Sequence, residues 1–103
     1  MPKTNLRKEA RGRNCTYRAP GVCKNDRDTV VLCHTNESRA ARAGMGIKPH
    51  DVLAFFGCDA CHSLADGRVT SSEYSYEEKR VMEYQAVIRT QKILLDEGKI
   101  IIP

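Results

Sequence analysis

The stretch Gly57-Cys58-Asp59-Ala60-Cys61-His62 carries the densest chemistry in the chain. Two thiols three positions apart can seat both sulfurs on one metal ion at a tight knuckle, while the imidazole that follows rides onto the next element. A pair of thiolates is half of a tetrahedral zinc shell, so two further ligands have to come from elsewhere. Cys15 and Cys23 are the candidates. The loop between them, Thr16 to Val22, carries Pro20-Gly21 just before the second thiol, which is turn chemistry that folds the chain back. A four-cysteine structural zinc site is the expected use of this spacing. Buried free thiols, or one or two disulfides, are the plainer alternatives.

At 103 residues the chain is one small domain, near the size at which a single core is marginal and a metal staple is useful. Tryptophan is absent and hydrophobic residues make up 41%, so the core is expected to be modest. An odd number of cysteines, five, no leader peptide at the start and no apolar run of membrane-spanning length point to a reducing cytoplasm, away from disulfides and from a membrane. The net charge is +4, and the excess is concentrated in residues 1–14, where Lys3, Arg7, Lys8, Arg11 and Arg13 face the single acid Glu9. This basic arm, ahead of one domain over residues 15–103, suits phosphate contacts to a polyanion. A solvated terminus explains it equally well.

The elements that must position these groups read as follows. Leu6 to Ala10 can form one or two helical turns that Gly12 ends. Thr29 to His34 reads as a strand, with Val30, Leu32 and His34 on one face and Val31 and Cys33 on the other. His34 falls at its last position. A long polar connection to His50 carries Arg39, Arg42, Lys48 and Gly44-Met45-Gly46, a flexible cationic loop suited to a sugar-phosphate backbone. Asp51 to Gly57 is the second strand and delivers the chain to Cys58. Asp59 is a natural N-cap for a helix from Ala60 to Gly67. On that helix His62 and Asp66 are one turn apart, so both could reach one cation, or Asp66 could orient the imidazole. Ser75-Tyr76-Glu77-Glu78 is a capping box. The helix that follows to Glu97 is expected to bury Val81, Tyr84, Val87, Ile88, Leu94 and Leu95 and to expose Lys79, Glu83, Thr90 and Glu97. Gly98 ends it, and Lys99 to Pro103 is either a short strand or a tail docked on the core, its isoleucines alternatively joining a second chain as a homodimer.

A strand ending in histidine, a loop, a second strand and a helix with histidine near its start resembles the ββα-metal fold of HNH, or His-Me finger, endonucleases. More closely, Arg11-Gly12-Arg13-Asn14-Cys15, Pro20-Gly21-Val22-Cys23, Val31-Leu32-Cys33-His34, Gly46-Ile47-Lys48-Pro49-His50-Asp51, Cys58-Asp59-Ala60-Cys61-His62 and Arg89-Thr90-Gln91 are similar to the YbcO-like nuclease family of phages and prophages. The likeness runs from about Leu6 to Ile101. It implies an α+β fold: a small zinc-stabilised ββα-metal domain with a long C-terminal helix packed on a β-hairpin. It implies a metal-dependent endonuclease that hydrolyses phosphodiester bonds in DNA, RNA being a further possible substrate, in phage or prophage recombination or processing within a bacterial host's cytoplasm.

The same likeness implies roles residue by residue. His34 becomes the general base and Asp51 holds the loop beneath it. His62, with Asp66, becomes a ligand of a catalytic divalent cation, magnesium or manganese with zinc as a third choice. Cys15, Cys23, Cys58 and Cys61 hold the structural zinc, and Arg11, Arg13, Arg39, Arg42 and Lys48 contact nucleic acid. Two positions depart from the pattern. Cys33 stands where many HNH enzymes place an acidic or imidazole metal ligand, and Ser63 follows His62 where an acid is expected. The sparse carboxylate supply leaves open a zinc-binding DNA or protein adaptor that kept the scaffold without the chemistry. A further alternative has His62 completing a Cys3His zinc shell.

Overall fold

The computed structural model describes residues 5–35, 50–67 and 73–101. In chain order these form α1 (Leu6–Glu9), a 3-10 turn (Arg27–Thr29), β1 (Val31–His34), β2 (Ala54–Gly57), α2 (Asp59–Ala65) and α3 (Tyr76–Asp96). β1 and β2 pair antiparallel, with Leu32 opposite Phe56 and His34 opposite Ala54. The result is a small α+β domain in which α3 and α2 cover a two-stranded hairpin.

The ends of the elements follow from local hydrogen bonding. Asn5 accepts the Lys8 amide at the start of α1, and Gly12 leaves it with φ +75°. β1 starts two residues later than the β-branched run suggested, because the Asp26 carboxylate accepts the Asp28 amide and winds residues 27–29 into the 3-10 turn. β2 starts at Ala54 and not Asp51, because the Leu53 amide closes a turn onto the His50 carbonyl at 2.8 Å. The N-cap of α2 is Cys58, one residue earlier than expected. Its side chain makes no cap bond, and the Thr29 hydroxyl instead accepts the Asp59 amide at 3.0 Å from across the fold. The capping box of α3 forms as expected, between Ser75 and Glu78.

β2 is buried along its whole length. One edge is paired with β1, and the other would be an open ladder, a hazard in so small a sheet. Phe56 solves this with side chains. Its amide donates to the hydroxyls of Thr16 at 3.0 Å and Thr90 at 3.2 Å, and its carbonyl accepts the Thr16 amide at 2.7 Å. Where Gly57 lies in the ladder, an added Cβ would stand 2.8 Å from the Cys33 sulfur and 3.0 Å from the Phe55 ring, so the packing of these two side chains favours glycine.

α3 presents a different face to the interior from the one its apolar residues suggest. Val81, Ile88 and Leu95 are exposed, as is Tyr84, whereas Arg80, Glu83, Ala86, Thr90 and Leu94 are buried. The reason is that backbone groups of the neighbouring segments need partners. Arg89 donates to the Thr16 carbonyl at 2.8 Å, Gln91 to the Val52 carbonyl at 2.8 Å and Arg80 to the Ala65 carbonyl at 2.7 Å. Leaving such groups dry and unpaired would cost about 1–3 kcal/mol each, which outweighs exposing a few apolar side chains. Beyond α3 the tail folds back, with the amides of Lys99 and Ile100 both donating to the Leu94 carbonyl. Ile100 packs on the core and Ile101 remains exposed. Among the described residues this tail adds no strand to the sheet.

α1 joins the core through Leu6 and Ala10. Arg13 binds Glu97 through both terminal nitrogens, at 2.7 and 2.5 Å, and Glu9 at 3.1 Å, which ties the first turn of the chain to the end of α3. The Arg13 guanidinium holds the Glu97 carboxyl below its ordinary value of 4.5.

Two outcomes follow. Glu83→Ala, which strands a buried guanidinium, should lower unfolding free energy by about 3–5 kcal/mol in urea denaturation, and Thr90→Val by about 1–3 kcal/mol. Because the folded-state pKa of Glu97 is depressed, the stability it contributes is complete above its unfolded value and is lost as pH falls through the folded one. Melting curves of Glu97→Gln should therefore lie below those of the parent at pH 7, and the gap should close on acidification below the ordinary glutamate range.

Candidate functional site

The loop from Cys15 to Cys23 is shaped by its own turns. The amides of Val22 and Cys23 both donate to the Ala19 carbonyl, at 3.1 and 2.8 Å, while Gly21 takes φ +76° and Arg18 φ 56°. Asn25, also left-handed at φ 47°, accepts the Cys15 amide at 2.8 Å. On the other side Cys58 follows β2 as the N-cap of α2 and Cys61 lies one turn along, with the His62 amide bonded to the Cys58 carbonyl at 2.8 Å. These two turns bring the ligand atoms of Cys15, Cys23, Cys58 and Cys61 within 4.8 Å of one another, a group that could hold one metal ion. All four are free thiols, and three of them are buried.

The charge state of the group is unusual for cysteines. A hydrogen bond from Cys61 pulls the Cys15 thiol down to about 4, and its counterpart raises Cys61. Burial pushes Cys23 up. A thiolate that must share protons with its neighbours in a buried pocket is a strong acceptor for a soft or borderline cation. His62 stands outside this group and pairs with Asp66.

Two imidazole–carboxylate pairs lie beyond the sulfurs. His34, at the end of β1, has Nε2 2.6 Å from Asp51 Oδ1, and the Arg7 Nε stands 3.6 Å from the same oxygen. The hydrogen bond from His34 is the largest cause holding the Asp51 carboxyl below its ordinary value, with the Arg7 charge adding to it. On α2, His62 Nε2 lies 3.0 Å from Asp66 Oδ2, the one-turn pairing that the spacing suggested. Cys33 lies in β1 opposite Phe55, with its thiol pushed up by burial and by the Asp66 charge, so it stays protonated.

A buried ion pair links the two segments that carry these pairs. Glu83 accepts from Thr35, the residue after His34, at 3.1 Å and from Arg80 at 3.2 Å. Arg80 in turn donates to Ala65, the residue before Asp66, at 2.7 Å. Neither Arg80, Glu83 nor Arg7 stood out in the sequence as a site residue. An Arg and a Glu three apart on a helix read as an ordinary solvent-facing pair, and no linear signal marks them otherwise.

Of the residues expected to meet nucleic acid, Arg11 is exposed, whereas Arg13 is engaged with Glu9, Glu97 and, at 5.3 Å, the ring of Phe56. Arg39, Arg42 and Lys48 lie outside the described residues. No helix among the described residues is long and apolar enough to cross a membrane.

The whole of this architecture has known counterparts. The chain is 42% identical over 96 residues to "Putative nuclease YbcO" of Escherichia coli (strain K12), covering 93% of this chain and 96% of that protein. The figures are the same for "Putative nuclease ybcO" of Enterobacteria phage 82. A solved structure described as that of a putative bacteriophage protein from Escherichia coli str. K-12 substr. MG1655 superposes with a TM-score of 0.73 at 35% identity, over 91% of this chain and 100% of that one. The model of the family described as "Putative nuclease YbcO" matches residues 4–99, and the chain belongs to that family.

Proposed function

We propose that this protein is a metal-dependent endonuclease of the HNH, or His-Me finger, type that hydrolyses phosphodiester bonds in DNA, held together by a structural zinc ion. The observation that carries the reading is His34 at the strand end with a carboxylate 2.6 Å from its Nε2, in a chain whose relatives carry the name "Putative nuclease". Asp51 fixes the orientation of the ring. That is what a general base needs if it is to hold a proton taken from water while the phosphorus is attacked. With Nε2 committed to Asp51, Nδ1 is the nitrogen that receives this proton. The basic arm with Arg11, and the segment carrying Arg39, Arg42 and Lys48, supply phosphate contacts. The setting is a bacterial host's cytoplasm, in phage or prophage DNA processing.

His62 and Asp66 are the residues that would hold the catalytic cation. When bound, magnesium or manganese offsets charge on the scissile phosphate and the departing oxygen. The four cysteines suit a different ion. A tetrahedron with Zn–S of about 2.3 Å has edges of about 3.8 Å, and the Cys23 and Cys58 sulfurs are 3.9 Å apart. Zinc accepts four thiolates without a geometric preference of its own, and it would neutralise the charge that the buried sulfurs accumulate.

A second reading, a zinc-stabilised nucleic-acid adaptor without turnover, is favoured by Cys33. Its buried, protonated thiol sits where a further metal ligand would strengthen the catalytic site.

Plasmid nicking in magnesium or manganese decides between them. His34→Ala should slow nicking by roughly a hundredfold or more while keeping the parent's circular dichroism and zinc content; equal rates would defeat the assignment of the base. Titration of paramagnetic manganese should broaden the ring resonances of both His34 and His62. Broadening at His62 alone would separate the two pairs into different sites. Parent protein that binds DNA in a salt-sensitive way and never cuts it is the adaptor. For the sulfurs, Cys61→Ser should lose its bound zinc and most of its folding stability, since structural zinc in small domains contributes on the order of 10 kcal/mol. His62→Ala should retain one zinc ion per chain.

A further inference from the structure

The exposed face of α3 has no counterpart in this proposed chemistry. Val81 (52% exposed), Tyr84 (43%), Ile88 (66%) and Leu95 (39%) recur at helical spacing along one stripe about 20 Å long, unusual apolar exposure for so small a protein. Glu77 continues the stripe toward the start of α3, and Lys92 lies on it near the other end, with Lys99 just past the helix. The face is therefore apolar in the middle, acidic at its beginning and basic at its end. Beside the first half runs a groove of about 510 Å³ whose walls include Tyr74, Pro20, Val81 and Met82. Beyond the last turn Ile101 is 68% exposed.

We infer that this face binds a second copy of the chain, with the two α3 helices antiparallel about a two-fold axis at Ile88. The stripe is its own complement under that rotation. Ile88 meets the partner's Ile88, Val81 meets the partner's Leu95, Tyr84 offers its ring to the partner's Lys92, and Glu77 faces the partner's Lys99. The same operation carries the partner's Ile101 toward the groove at Tyr74, so an exposed apolar side chain and an empty apolar groove satisfy each other twice, as an isologous interface requires. Of the intramolecular bonds of the two lysines, Lys92 to Asp96 at 2.7 Å is an exposed surface pair that holds its side chains only weakly, and Lys99 to Glu9 is a long, half-buried contact at 3.5 Å. Glu77 and Glu78 line the groove together with Arg18 and Arg89, a charge-balanced rim that offers a polyanion no net attraction. Two helices and two tails make a small interface, so association belongs in the micromolar range. The inference stands apart from the nuclease reading, because no residue in it belongs to the sulfur group or to either imidazole pair.

Sedimentation velocity of the zinc-loaded protein across low to high micromolar concentration tests it. The parent should pass from monomer to dimer. Ile88→Glu, which sets two carboxylates against each other on the axis, should remain monomeric with unchanged circular dichroism and zinc content. Glu77→Lys should weaken the dimer at least roughly tenfold, and the exchanged pair Glu77→Lys with Lys99→Glu should restore it. A parent that stays monomeric at every concentration overturns the proposal, and so does a dimer indifferent to Ile88→Glu. Failure of the exchanged pair to restore association overturns the antiparallel arrangement.

Discussion

Convergence of four sulfurs is the constraint on which the remainder of the molecule depends. A chain this short cannot rely on its apolar core alone, and the two segments that carry the thiols are remote in sequence. Once Cys15 and Cys23 are held against Cys58 and Cys61, the residues beside them have few places to go. Thr16 is delivered onto Phe56, where it closes the open edge of β2. Thr29 is delivered onto the start of α2, where its hydroxyl does the capping that Cys58 cannot do while its sulfur faces the group. The sheet edge and the helix start are both completed by neighbours of the sulfur loop.

The interior is more polar than the composition suggests, and the polarity is organised. Thr16, Thr90, Arg89 and Gln91 answer backbone groups of the hairpin and the loop, and Arg80 with Glu83 spans the segments that bear the two histidines. A buried ion pair is weak as a source of stability, because desolvation offsets most of the attraction. Its value here is positional. It accepts one arrangement of Thr35 and Ala65, and an apolar contact of equal size would tolerate several.

What could be read from the residues alone was whatever depended on spacing. The cysteine pattern, the capping box at Ser75 and Glu78, and the single-turn relation of His62 to Asp66 are local or combinatorial signals, and each has its counterpart in the fold. The inward face of α3 was not legible. Counting apolar positions favours Val81 and Ile88 for the core, but the packed face is chosen by donors and acceptors on segments 15 to 74 residues away, most of which no window along the helix contains. The early cap at Cys58 escaped for the same reason: Thr29, which accepts the amide of Asp59, precedes that residue by 30 positions. The pairing of His34 with Asp51 could be framed only through family likeness, since a loop separates the two.

Gly57 sits between the sheet and the sulfurs. Its missing side chain leaves room for the Cys33 thiol and the edge of the Phe55 ring, and the next residue along is Cys58, one of the four sulfurs that could hold a metal ion. The packing of the hairpin and the position of one of the four sulfurs thus both depend on one atom that is not there. Even a methyl group at this position would act as a wedge, and it would press first on the Cys33 sulfur and the Phe55 ring, so the apolar core would feel it before the four sulfurs did.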